Sequence, residues 1–314
     1  MPTREPLQAG DICPVCGGAS RHACPAPGWG EMRSCVKCGL VFAQPMALPT
    51  SSAELFSAAY SGGVTASGMA GYNTRLTVAG SLHNVPISDI ALWSSAHQEA
   101  LKFLKRRFAK GTRILDMGCS TGLFLKALRS AGFEAVGCDV AYPTVEFLRS
   151  QGFTVYHGSA DDCPLDAPAP AAITCFKVLH HIPDPLRFLS SIRSRFPRSV
   201  LIISENFLGL KPDPARPRNP RSLPPRSLSE WSCDSLRLAL EKAGYSRISV
   251  MPTKFVATEI SVPGVQSAYI RLHNVIPSYL LVLYFLVKRI AFWPLALRHR
   301  IGGRSGAILA IADP

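Results

Sequence analysis

From Gly111 onward, short apolar runs alternate with stretches whose apolar residues recur at helical spacing, the pattern of a parallel sheet covered by helices. Strands are expected at Arg113–Met117, Ala135–Cys138, Thr154–Tyr156, Ala172–Phe176 and Val200–Ser204. Helices fall between them at Leu123–Ser130, Pro143–Gln151 and Pro185–Arg195. A further helix, Asp234–Ala243, precedes a strand near Arg247–Met251, and Ala307–Ala312 reads as one more strand. The alternation predicts an α/β fold with a doubly wound, Rossmann-like sheet.

Upstream, Ala53–Tyr60 and Ile90–Phe108 read as helices. In the second, Leu92, Ala96, Leu101, Leu104 and Phe108 form the apolar side, leaving Lys102, Lys105, Arg106 and Arg107 for solvent. The Gly- and Ser-rich stretch Ser61–Ser81 between them reads as a connector or a lid. Near the other end, Ile276–Val287 is strongly apolar, and Ile290–Leu297 continues it after Lys288-Arg289. A spanning helix needs about 20 apolar residues and tolerates central charges poorly. With sheet strands on both sides, a single crossing would also strand the last one across the membrane. A peripheral membrane contact, with Arg298, Arg300 and Arg304 near headgroups, is the expected reading, beside a cover for a ligand pocket or a dimer contact.

At 314 residues, with 47% hydrophobic and 18% charged positions, the chain has room for a large core with accessories and is not a disordered or fibrous polymer. A formal charge of +13 favours an anionic partner: nucleic acid, a phosphorylated substrate or an acidic membrane. The loop Leu208–Arg226, with six prolines and five positive side chains, follows the fifth strand of the sheet and would lie at the end of the sheet where ligands bind. It reads either as a recogniser of phosphate, as in a nucleotide-linked sugar, or as a stiff solvated linker. Met1–Ala9 has no apolar stretch of the signal-peptide kind, so the ten cysteines are expected to be reduced and the protein cytoplasmic.

Reduced cysteines in pairs suggest metal. Cys13-Pro-Val-Cys16-Gly and Cys35-Val-Lys-Cys38-Gly are separated by 18 residues, a zinc-ribbon pattern. Two residues between thiolates let one tight turn aim both sulfurs at one ion, and the following glycine lets the backbone curl back. His22 and Cys24 lack the repeat. Four thiolates fill a tetrahedral shell, so the zinc is expected to be structural.

The second candidate site begins at Ile114-Leu115-Asp116-Met117-Gly118-Cys119-Ser120-Thr121-Gly122-Leu123, a strand running into a Gly-containing turn and a helix. Asp116 would attract an ammonium group. Gly118 would let a ligand press on the backbone, and Gly122 would let the helix start close to the strand. The next strand ends in Gly137-Cys138-Asp139, an acid placed to accept both hydroxyl hydrogens of a ribose. The third leads to Gly158-Ser159-Ala160-Asp161-Asp162, where an acid could receive an adenine amino group.

Together these segments resemble the class I methyltransferases that use S-adenosylmethionine (SAM). Asp116-Met-Gly118-Cys-Ser-Thr-Gly122 is similar to that family's first motif, and Val178-Leu-His180-His181-Ile-Pro-Asp-Pro185 to its fourth. The resemblance implies that Asp116 and Gly118 meet the methionine part, Asp139 the ribose, and Ala160 with Asp161 the adenine. Ser159 stands where an acid is frequent. Cys35-Val-Lys-Cys-Gly-Leu-Val-Phe42-Ala-Gln-Pro45, followed by Glu54-Leu-Phe56 and Tyr60, resembles a subgroup carrying an N-terminal zinc ribbon and similar to sugar and secondary-metabolite methyltransferases.

Methyl transfer to a hydroxyl requires alignment, exclusion of water and removal of a proton. His180 and His181 lie just beyond the fourth strand, with His181 expected as general base and His180 as a group orienting the acceptor or closing the site. The competing reading makes one of the pair a helix cap or a packing group. Some quinone-pathway relatives place an acid before the second His and use a metal there; His180 in that position argues against a metal-dependent step. The expected acceptor is a sugar or glycoconjugate hydroxyl or carbon. The alternative is RNA, which a zinc ribbon and basic surface would suit, although Lys177-Val178-Leu179-His180 replaces the Asn-Pro-Pro-Tyr type of motif used on bases. A non-enzymatic SAM-binding module is the third reading, opposed by the intact Asp116, Gly118 and Asp139. The organisation expected is a zinc ribbon over residues 1–45, a helical linker or lid over 46–108, the SAM-binding domain over 109–255, a hydrophobic insertion over 256–306 and a final strand over 307–314.

Overall fold

The computed structural model describes residues 12–48, 50–61, 95–164, 168–206, 223–253 and 307–314. The Ser61–Ser81 stretch beyond its first residue, most of the proline-rich basic loop and the apolar segment 276–297 lie outside them.

The chain opens with an antiparallel meander of β1 (Ser20–Ala26), β2 (Gly30–Cys35) and β3 (Val41–Gln44). Helix α1 (Ser52–Tyr60) follows. Its start is set by a capping box: the Ser51 hydroxyl accepts the Glu54 N–H at 3.2 Å, and the Glu54 carboxylate accepts the Ser51 N–H at 3.1 Å. Helix α2 (Ser95–Arg107) ends in Lys105, Arg106 and Arg107, which complement the negative end of its dipole.

The main sheet is built from β4 (Arg113–Met117), β5 (Glu134–Asp139), β6 (Thr154–His157), β7 (Ala172–Phe176) and β8 (Val200–Asn206), all parallel. Helices α3 (Leu123–Ser130), α4 (Tyr142–Ser150) and α5 (Pro185–Arg195) connect these strands. Then come β9 (Ser229–Glu230), α6 (Cys233–Lys242), β10 (Ser246–Pro252) and β11 (Ala307–Asp313). The strand order is β10-β11-β8-β7-β4-β5-β6, with β11 antiparallel to both neighbours. Ile114, Leu115, Ile173, Leu201, Ile202 and Ile203 are buried, which is why these strands read as continuous apolar runs. Strand β8 runs past Ser204 to Asn206 because β11 pairs with it as far as Ala307 opposite Asn206. The chain winds outward from β4 through β5 and β6, then returns to its other side with β7. The reversal opens a crevice at the carboxyl ends of β4, β5 and β7, where such sheets bind ligands.

The first three strands do not form a free-standing module. Strand β9 completes their sheet, with Val41 opposite Glu230 and Phe42 opposite Ser229. The Leu228 carbonyl accepts the Ala43 N–H at 2.7 Å, and the Ser232 hydroxyl donates to the Cys38 carbonyl at 2.8 Å. Val15, Leu40 and Phe42 share a continuous apolar core with Trp231, Leu236, Leu201 and Ile203. Each such buried side chain contributes roughly 1.5–3 kcal/mol. Among the described residues no helix is long and apolar enough to cross a membrane.

Candidate active site

The loop from β4 to α3 is shaped by positive backbone φ angles at Gly118 (+75°), Ser120 (+48°) and Gly122 (+74°). The Gly118 N–H is held by the Cys138 carbonyl at 2.7 Å. A Cβ at Gly118 would stand 2.4 Å from a methyl of Val178, and one at Gly122 would stand 2.3 Å from a methyl of Leu148. Both glycines are therefore demanded by neighbouring side chains. The direction a Gly118 side chain would take is occupied by Val178, and the neighbour crowding Gly122 belongs to α4.

Asp139, at the end of β5, anchors this loop. Its carboxylate accepts the Ser120 N–H at 2.8 Å and the Ala141 N–H at 2.9 Å. Burial pushes its pKa up, opposed by these backbone hydrogen bonds. Asp116 is 3% exposed and accepts a hydrogen bond from the Thr174 hydroxyl at 2.7 Å. Burial raises its carboxyl to about 7, with Thr174 opposing and the nearby Asp139 adding to the shift.

A cavity of about 220 Å³ sits over the crevice. Of the expected residues, Gly118, Asp139, Ala160 and His181 line it; Asp116, Gly122, Asp161 and His180 do not. Asp161 is engaged by Arg187 at 3.2 Å and by Ser191, both on α5, so its carboxylate faces that helix. The acid that turns back onto the loop is Asp162, whose Oδ1 accepts both the N–H of Ser159 at 2.5 Å and its hydroxyl at 2.6 Å. These bonds hold the Asp162 carboxyl below its ordinary value.

The two histidines occupy a single 3-10 turn, Leu179–His181, after β7. The Nδ1 of His181 is buried, and its ring meets Phe56 edge-on at a centroid distance of 5.0 Å. His180 is 7% exposed, its ring lies 3.9 Å from that of His181, and its Nδ1 is 2.6 Å from Oε2 of Glu205. Before the turn, Lys177 has a positive φ of 58°, and its ammonium donates to Asn206 at 2.9 Å.

Sequence reasoning missed Ser52, Phe56 and Tyr60 of α1 as cavity residues. Their four-residue spacing puts them on one helical face and was a usable signal. The Tyr60 hydroxyl lies 2.5 Å from that of Ser120, which brings α1 onto the loop after β4. Glu205 was also missed, since it reads as the polar end of a strand.

The four cysteines Cys13, Cys16, Cys35 and Cys38 converge, with their sulfurs within 4.8 Å of one another. Cys13 and Cys38 are 3.7 Å apart, and Cys16 and Cys35 are 3.3 Å apart, close to the spacing of about 3.8 Å that a tetrahedron of 2.3 Å Zn–S bonds requires. Backbone N–H groups of Gly18 and Lys37 donate to Cys16 and Cys35, as thiolates would demand. His22 is paired with Glu31, and neither it nor Cys24 belongs to the cluster. The donor set fits a structural zinc ion.

Residues 92–250 match the family model described as "Methyltransferase domain". Among curated proteins, the chain is 29% identical over 106 residues to the ubiquinone biosynthesis O-methyltransferase of Haemophilus ducreyi, covering 30% of this chain and 45% of that protein. It is 35% identical over 88 residues to the Xylella fastidiosa protein of the same name, covering 26% and 36% respectively. The chain thus spans less than half the length of these relatives. A SAM-dependent methyltransferase structure from Mesorhizobium loti aligns with a TM-score of 0.46 at 16% identity, covering 71% of this chain and all of that one.

Proposed function

The chain belongs to the methyltransferase domain family, and from that premise we propose that it transfers the methyl group of SAM to a hydroxyl of a small-molecule acceptor, with His181 as general base. One observation carries the reading. Gly118 after β4, Asp139 at the end of β5, Ala160 after β6 and His181 after β7 all line one cavity.

These residues suit the cofactor. The two backbone N–H groups on Asp139 occupy two of about four acceptor positions on a carboxylate, leaving others for the hydroxyls of a ribose. With Asp161 turned to α5, the adenine contact in this proposal falls to Ser159 and Ala160. Asp116 serves the positively charged methionine end from behind the loop. When bound, SAM supplies an electrophilic methyl group on a sulfonium. Phe56 and Tyr60 line the cavity from the α1 side, where their rings would shield the reacting groups from water. His181 takes the acceptor's proton at Nε2, because its Nδ1 is buried.

A sugar or glycoconjugate hydroxyl is the acceptor class implied by the sequence resemblance. A phenol is favoured by a separate observation: Phe56, Phe176, Val178 and Ile182 give the cavity an apolar wall, and the relatives named above are O-methyltransferases of ubiquinone biosynthesis. Both classes are small molecules, and they separate in one experiment. Labelled methyl from SAM is offered to a fractionated extract of the source cells, with phenolic lipids, nucleotide sugars, glycans and RNA resolved. Label in a phenolic or sugar fraction supports the proposal and chooses between its two forms; label confined to RNA overturns it. Replacing His181 with Asn is expected to lower the transfer rate by about 10²–10⁴-fold. An undiminished rate removes His181 as the base.

A further inference from the structure

We propose that Glu205 is a positioning residue which, through His180, fixes the orientation of His181 toward the acceptor. The assignment rests on the reading of His181 as the base. Glu205 is completely buried at the end of β8, yet both of its carboxylate oxygens are engaged. Oε1 accepts the N–H of Leu179 at 2.7 Å, and Oε2 lies 2.6 Å from Nδ1 of His180. A carboxylate without solvent contact is costly to bury unless its oxygens are satisfied.

A helix cap alone would need only the bond to Leu179, which a neutral Ser or Asn supplies. The second oxygen is directed at an imidazole, and it selects the tautomer with the His180 proton on Nδ1. That ring is then fixed by Glu205 at one edge and packs against His181 at a centroid distance of 3.9 Å. The backbone of the same residue is tied as well, since the His180 carbonyl accepts the Leu228 N–H at 2.7 Å. On its other side His181 meets Phe56. The base is therefore clamped between two rings, and one of them is locked by a buried acid. His180 does not line the cavity, so its contribution passes through His181.

The test is Glu205→Gln, which retains an acceptor for Leu179 but places an amide donor against His180 Nδ1. In long-range ¹H–¹⁵N spectra, the wild-type chain is expected to show His180 protonated on Nδ1. The variant is expected to shift His180 toward the other tautomer and to move the His181 ring resonances, while the calorimetric SAM affinity stays within about twofold. Labelled-methyl transfer into the acceptor fraction should fall tenfold or more. Unmoved His181 resonances overturn the assignment, and so does an unchanged transfer rate in a chain whose His181→Asn variant is inactive. If His181→Asn proves fully active, the base reading fails by itself, and the resonances alone decide whether Glu205 positions that ring. Should Glu205→Gln not fold, His180→Asn keeps a donor for Glu205 but removes the ring beside His181. It is expected to show the same loss of transfer, and wild-type transfer in it overturns the proposal.

Discussion

Asp116 lies behind the glycine loop with its carboxyl raised to about 7 by burial, against an ordinary value of about 3.9. A folded-state value above the unfolded one means the native state binds the extra proton. The stabilisation is fully present below about pH 4 and is lost as pH rises through about 7. Asp116→Asn keeps an acceptor for Thr174 and removes that titration. Denaturant unfolding of the variant is expected to show a flatter pH dependence between about 4 and 7 and a gain of a few kcal/mol at most at pH 8; a wild-type slope would refute the burial argument. A cationic ligand favours the ionised acid, so calorimetric SAM affinity in the wild type should rise from pH 6 to 8, and this rise should vanish in the variant. Asp139 is expected to act differently, because its oxygens already hold Ser120 and Ala141 in place. Asp139→Ala should weaken SAM binding by about 1–3 kcal/mol at all these pH values, and undiminished affinity would sink the ribose assignment.

Among the elements, α1 links the amino-terminal strands to the cavity. Ser52, Phe56 and Tyr60 recur every fourth residue along its cavity face, while the capping box fixes where the helix begins. Tyr60→Phe removes the hydroxyl contact with Ser120 and is expected to cost roughly 0.5–1.5 kcal/mol of stability and, with the loop loosened, to weaken SAM binding; unchanged affinity would mean that α1 merely rests on the loop. The sequence made the central strands and their helices legible because buried parallel strands are unbroken apolar runs with glycine or proline at their ends. It also exposed the loop after β4, where two glycines are enforced by Val178 and Leu148. Strand β9 was illegible for a physical reason: two residues carry no periodicity, and only pairing with Val41 and Phe42 makes them a strand. Glu205 was hidden similarly, one residue beyond the expected end of its strand, with nothing local to mark its pairing with His180. Asp161 and Asp162 are adjacent acids, and only α5, which engages the first, distinguishes them.

For the whole molecule, the cysteine cluster belongs to the same apolar core as the sheet that carries the site. A strong chelator that removes metal from the four cysteines is therefore expected to lower the melting temperature of the chain in one cooperative transition, read by calorimetry together with assay of the metal released. A separate low-temperature transition that leaves the main one unmoved would show the ribbon to be independent. The Ser232 bond to Cys38 joins residues 194 positions apart, and β3 waits for β9 to cover its edge. This connectivity sets a timetable. During synthesis β1–β3 emerge before β9, so their sheet keeps an open flank until Ser229 and Glu230 follow. A nascent chain stalled before Ser229 would present that edge, and its paired thiols would depend on early metal capture to stay together.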